Sequence, residues 1–221
     1  MKRPSGFWIM VMVNENESVV REHQRDGFSL IELILSLVLT LIILGVAVTV
    51  FSSALGSRTR EGSTTDAITS AQAALNIMSR EIGNSGFGLV NNGIVLADSN
   101  GKKLRIRANT NNQNGATDGP GEDVQFFYDS ASLSVVRYDK NVPTTSGVVN
   151  RVSDVDFVYT DYDSFGNETT GLTVPSANTG KVTILLKVIL PDVQGQPAGR
   201  IEQVKSDVTL RNSTSYLLNK Y

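Results

Sequence analysis

From residue 28 to residue 51 the chain reads FSLIELILSLVLTLIILGVAVTVF, with Glu32 its only ionisable residue and no proline. About 20 apolar residues at 1.5 Å each cross the hydrocarbon core of a bilayer. The run therefore predicts a membrane-spanning helix. A core helix apolar on all sides would need more surrounding protein than a chain of this size supplies. A cleaved secretory signal has an apolar stretch of only about 7–15 residues, so the small residues Ser52, Ser53, Ala54, Gly56 and Ser57 do not make this run one. The helical pattern continues past the span: Ile68, Ala71, Leu75, Met78 and Ile82 recur three or four apart and form one stripe. A single helix over residues 28–84 is expected, about 85 Å long at the standard rise, with Gly45, Gly56 and Gly62 as points where it can bend. Asn84-Ser85-Gly86 supplies its stop.

After Phe87 the period changes from helical to alternating. Residues 103–108, 123–129, 132–138, 154–161, 181–190 and 203–211 read as strands rich in Val, Ile, Phe and Tyr. The short link Asp129-Ser130-Ala131 makes one pair a hairpin and the pairing antiparallel. Residues 109–122 and 164–179, rich in Asn, Gly, Ser and Thr, are expected to be surface loops. The fold class is α+β: a long N-terminal helix, its first half in the membrane, packed by its second half on one antiparallel β-sheet.

Composition narrows the function. With 20 Lys+Arg against 22 Asp+Glu in 221 residues, the balance does not suit a chain that binds nucleic acid through bulk charge. No cysteine is present, which removes disulfides, thiol catalysis and thiolate metal sites. The single histidine, His23, precedes the span. With no histidine or cysteine after it, the commonest catalytic dyads and triads are missing. The chain reads as a non-enzyme with no cofactor.

Glu32 needs a reason. A carboxylate in the first turns of a membrane helix costs about 3 kcal/mol unless paired, and anchoring alone does not require it. If the chain were cut after Gly27, Phe28 would carry a free α-ammonium four residues before Glu32. The carboxylate would then sit at the positive end of the helix dipole. It could pair with its own terminus or, with an axial offset, with a neighbour's, and the second pairing rewards one register of assembly.

Gly27-Phe28-Ser29-Leu30-Ile31-Glu32-Leu33 before a long apolar helix resembles the class III signal of type IV prepilins and type II secretion pseudopilins. The resemblance implies that an aspartyl prepilin peptidase cuts between Gly27 and Phe28 on the cytoplasmic side and methylates the nitrogen of Phe28. It also implies that Glu32 is the assembly glutamate. Glycine before the cut lets the backbone leave the helix and offers no side chain to the protease. The implied organisation is a cleaved leader over 1–27, a transmembrane half-helix over 28–51, a periplasmic half-helix over 52–84 and a β-rich headpiece over 85–221. The leader is longer and more acidic than the family pattern, with Glu15, Glu17, Glu22 and Asp26 beside Lys2, Arg3, Arg21 and Arg25. A start at Met10 or Met12 instead of Met1 would bring it to family size. Arg21 and Arg25 before the span match Arg58 and Arg60 after it, and only Lys2 and Arg3 tip the count towards a cytoplasmic N-terminus.

Within that family, Arg80-Glu81-Ile82-Gly83-Asn84-Ser85-Gly86-Phe87 is similar to the end of the long helix in PilW-type minor pilins. Residues 155–161, 182–190 and 208–212 resemble late strands of these proteins and of J-type minor pseudopilins. The implied function is that of a minor type IV pilin at or near the filament tip, priming assembly, single-pass in the inner membrane with a periplasmic C-terminal domain. Its partners would be the prepilin peptidase, other major and minor pilins or pseudopilins, and the inner-membrane assembly platform. A minor pseudopilin of a type II secretion system carries the same signal. A signal-anchored periplasmic binding domain that never assembles is the reading from another class, and it keeps residues 1–27.

Two headpiece features suggest chemistry. Asp161-x-Asp163-x-x-Gly166 resembles the start of a calcium-binding EF-hand loop, but Phe165 takes a ligand position and Leu172 stands where a bidentate Glu belongs, so a hairpin turn is expected there. Lys102, Lys103, Arg105 and Arg107 form the one basic cluster, and a strand would put the last three on one face. A solvated strand face accounts for it, and nucleic acid is not expected among the partners.

Overall fold

A computed structural model describes residues 27–111, 113–192 and 197–213, which form two units, up to Val50 and from Phe51 onward. Helix α1 runs from Leu30 to Gly83. In the first unit it has no proline or other internal breaker except Gly45, and every residue is exposed. Its hydroxyl side chains bond back to the helix: Ser36 Oγ donates to the carbonyl of Leu33 at 2.9 Å, Thr40 Oγ1 to that of Ser36 at 2.7 Å, and Thr49 Oγ1 to that of Val46 at 2.8 Å. Hydroxyls folded back in this way present no unmet hydroxyl to lipid, which leaves Glu32 as the polar group of this part of α1 without such a bond. The segment is long and apolar enough to cross a membrane.

In the second unit α1 buries Ala71, Ala74, Leu75, Met78 and Ile82, the stripe expected from the spacing, except that Ile68 stays partly exposed. Eight strands follow: β1 (Lys103–Arg107), β2 (Asp123–Asp129), β3 (Ser134–Asp139), β4 (Thr144–Asn150), β5 (Val152–Tyr162), β6 (Glu168–Leu172), β7 (Thr179–Ile189) and β8 (Ile201–Thr209). They form two four-stranded antiparallel sheets, in the orders β1-β2-β3-β4 and β6-β5-β7-β8. The single sheet expected from sequence is thus two. β4 and β6, made of Thr, Ser, Gly and Glu with few apolar residues, are the strands the alternation did not signal. Both are edge strands with mostly exposed residues, so neither needs a hydrophobic face.

Strand alternation builds the core. β7 alternates along its length, burying Val182, Ile184, Leu186 and Val188, while β5 buries Val155, Phe157 and Tyr159 beside them. From the first sheet Leu104, Ile106, Val124, Phe126 and Val135 join the same cluster as the stripe of α1. Tyr159 is wholly buried, and its hydroxyl donates to the Asn100 carbonyl at 2.9 Å. Burial raises the pKa of that phenol well above its usual range.

The chain leaves α1 through a loop that also closes the free edge of β1. Gly86 N donates to Arg107 O at 2.8 Å, Arg107 N to Gly93 O at 2.7 Å, and Val95 N to Arg105 O at 2.9 Å. Gly93 has a φ of +74°, and a Cβ there would lie 2.1 Å from Gly86 N and 2.3 Å from Arg107 O, both backbone atoms. Gly93→Ala should therefore cost about 3 kcal/mol or more, read as a lower thermal midpoint. An unchanged midpoint would show that this loop can yield without loss.

Candidate functional site

Gly27, Phe28 and Ser29 are non-helical, and α1 starts at the next residue. The Ser29 carbonyl accepts the amides of Glu32 at 3.0 Å and Leu33 at 3.1 Å, so Ser29 opens the first turn. A Cβ on Gly27 would meet nothing within 4 Å. The Gly27–Phe28 peptide thus lies outside the helix with open space at Gly27. Phe28 is 83% exposed and followed by a long exposed stretch dominated by Leu, Ile and Val. So large an apolar surface marks contact with lipid or with other protein. Glu32 is the acidic residue of the first helical turn, and among the described residues no cation pairs with it. Gly27, Phe28 and Glu32 therefore lie within one stretch, where the sequence puts them. The leader before Gly27, with His23 and the alternative starts Met10 and Met12, lies outside the described residues.

The headpiece candidates come apart. Asp161 accepts from Thr179 Oγ1 at 2.6 Å and Ser176 Oγ at 2.5 Å, tying β5 to the start of β7. Asp163 accepts from the amides of Phe165 and Asn167, each at 2.9 Å, and from Asn167 Nδ2 at 2.8 Å, closing the turn between β5 and β6. The donors in each set are protein groups serving different ends, and among the described residues no three metal-ligating side chains gather. These bonds build a hairpin turn joining β5 to β6.

Arg105 and Arg107 on β1, and Lys102 just before it, are met by carboxylates of neighbouring segments. Arg105 grips Asp123 through Nε and Nη2, both at 2.6 Å, and also pairs with Asp98; Arg107 Nε reaches the same Asp123 at 2.8 Å. Lys102 sits 2.5 Å from both Asp154 and Asp156, which Lys187 also contacts at 3.1 and 3.0 Å. Burial pushes the Asp123 carboxyl up, but hydrogen bonds from Arg105 and Arg107 outweigh it and hold the group below the ordinary value of 3.8. Such a carboxyl stabilises the fold above its unfolded pKa and loses that contribution as pH falls through the folded one. The thermal midpoint should therefore drop as pH falls below about 4, and Asp123→Asn should flatten part of that drop. A slope as steep as the parent's would assign the acid sensitivity to other carboxyls, such as Asp154 and Asp156.

Sequence reading missed the amides that hold the loop after α1. Buried Asn92 Nδ2 donates to the carbonyls of Ser176, Ala177 and Thr179 at 3.1, 3.3 and 3.0 Å. Asn212 Nδ2 donates to those of Gly86, Leu89 and Asn91. Asparagines in a polar stretch carry no pattern that distinguishes a clamp from a turn.

Residues 23–48 match the family model of the prokaryotic N-terminal methylation motif. No curated protein and no solved structure matches the chain. The chain thus carries a type IV prepilin-like segment whose apolar part is the first half of α1, followed by an antiparallel β headpiece. The motif supports a pilin- or pseudopilin-like protein associated with a membrane and implies processing by prepilin peptidase and assembly with other pilins.

Proposed function

We propose that this chain is a minor type IV pilin, cut between Gly27 and Phe28, N-methylated on Phe28, and built into a filament at or near its tip, where it primes assembly. The observation that carries the reading is the matched motif over residues 23–48, with Glu32 as the acidic residue of the first turn of an exposed apolar helix. The narrower assignment rests on the resemblance of Arg80–Phe87, β5, β7 and the end of β8 to PilW-type minor pilins. Before assembly the first half of α1 holds the subunit in the inner membrane with the headpiece in the periplasm. An assembly ATPase drives extraction, and this chain contributes apolar helix packing and one charge match between Glu32 and the α-ammonium of Phe28 on a neighbour. Glu32 in an apolar surround is costly alone and favourable when paired, so one axial offset between helices is preferred over its alternatives.

The test is the mature N-terminus. Protein from cells with prepilin peptidase should begin at N-methyl-Phe28, and protein from cells lacking the peptidase should keep the leader. Retention of residues 1–27 in both would support a signal-anchored domain that never assembles. Correct processing with co-purification in a secretion pseudopilus instead of a pilus would support the minor pseudopilin.

A further inference from the structure

The chain holds three Asn-Gly pairs, Asn92-Gly93, Asn100-Gly101 and Asn114-Gly115. Glycine makes such pairs labile because, without a Cβ, its amide nitrogen can swing back on the preceding carboxamide. The structure treats the three differently.

Asn92 is buried, its Nδ2 donates to three carbonyls, and its Oδ1 accepts the Ile94 amide at 3.2 Å. The Gly93 amide, which would have to attack, donates to Asn91 Oδ1 at 2.9 Å. Asn100 is exposed, but its peptide is fastened on both sides: its carbonyl accepts the Tyr159 hydroxyl, its amide donates to Lys103 O at 2.8 Å, and Gly101 O accepts Phe157 N at 2.8 Å. Asn114, Gly115 and Ala116 are all exposed, and a Cβ on Gly115 would meet nothing within 4 Å. Asn114 Oδ1 accepts the Ala116 amide at 2.8 Å, and its Nδ2 donates to Asp118 Oδ1 at 3.2 Å. An amide two residues on meets the carboxamide oxygen at all three sites, Lys102 N to Asn100 Oδ1 at 2.8 Å included, so what separates them is exposure and the fastening of the backbone around each pair.

We propose that Asn114 is a self-modifying position, converted through a succinimide to aspartyl and isoaspartyl, and that the fold suppresses the same reaction at Asn92 and Asn100. The Gly115 nitrogen gives its proton to solvent hydroxide and bonds to Asn114 Cγ. The Cγ–Nδ2 bond breaks, and Nδ2 takes a proton from water and leaves as ammonia. Water then adds to either imide carbonyl and opens the ring, so water is the only co-reactant. The product adds a negative charge beside Asp118. Asn141 Nδ2 holds the loop through the carbonyls of Thr117 and Gly119, each at 2.8 Å, and Glu122 holds the Gly119 amide at 2.8 Å, so the change stays outside the strands.

The test is peptide mapping by mass spectrometry of the full chain in detergent, aged at mildly alkaline pH, beside a sample aged in concentrated urea. In the folded protein Asn114 should convert at least about tenfold faster than Asn92 and Asn100, the protection expected when reaction requires local opening. In urea the three rates should come within a few-fold of one another, and the Asn114 product should contain isoaspartate. Gly115→Ala should slow conversion at Asn114 by about tenfold or more. The proposal is overturned if Asn92 or Asn100 keeps pace with Asn114 in the folded protein, or if Asn114 gives aspartate without isoaspartate.

Discussion

Glu32→Ala should leave cleavage between Gly27 and Phe28 unchanged, yet lower recovery of the subunit in sheared filaments by about two orders of magnitude. The size follows from the partner left behind. An α-ammonium transferred from lipid headgroups into a bundle of apolar helices without its carboxylate is an unpaired buried charge, a loss of about 3–5 kcal/mol, and each 1.4 kcal/mol is about tenfold in an equilibrium. Glu32→Gln keeps the shape and should fail similarly, since a neutral amide cannot neutralise the terminus. Processing is unaffected because Glu32 lies five positions past Gly27 and its side chain meets no cation among the described residues. Recovery of Glu32→Ala at the parent level, measured against the major subunit in the same sheared fraction, would remove the charge match from the mechanism.

Gly27→Val should abolish cleavage altogether. The position has room in the protein itself, with nothing within 4 Å of an added Cβ, so the substitution leaves the fold alone and any effect belongs to the protease site. A β-branched residue there stiffens the backbone and presents a side chain where the peptidase accepts none. The intact mass should then retain the leader, and Phe28 nitrogen stays an uncharged amide. Filament incorporation disappears for a second reason, because Glu32 of a neighbour has no ammonium to meet. Efficient cleavage of Gly27→Val would mean that the scissile bond lies elsewhere. The two variants separate the steps: Gly27→Val stops the subunit before the terminus is made, and Glu32→Ala stops it after.

The prepilin-like motif over residues 23–48 was legible in the sequence because everything that defines it is local. A bilayer demands a continuous run of apolar residues, and one carboxylate at a fixed distance from one glycine stands out against it. The stripe on α1 and the strands with Val, Ile and Phe were legible for the same reason, since each is read within a few residues. What stayed hidden depends on distance along the chain. Two sheets in place of one follow from which strand neighbours which, and the step from β4 to β5 across Arg151, whose φ is +59°, leaves no hydrophobic signature. The basic run on β1 reads as a cationic face until Asp98 and Asp123 are brought against it, and Asp123 belongs to the next strand. Asn92 looks like a turn former until β7 supplies the carbonyl it binds.

The inward-turned hydroxyls of Ser36, Thr40 and Thr49 bear on how a subunit moves. A span whose hydroxyls already have partners has no hydroxyl bonds to exchange when lipid chains are replaced by other helices. If the chain assembles as proposed, its passage from bilayer to filament would be a slide along a nearly featureless coordinate, with Glu32 as its detent. A motor pulling on such a segment would then work against packing alone until that notch engaged, and the notch would decide where the subunit stops.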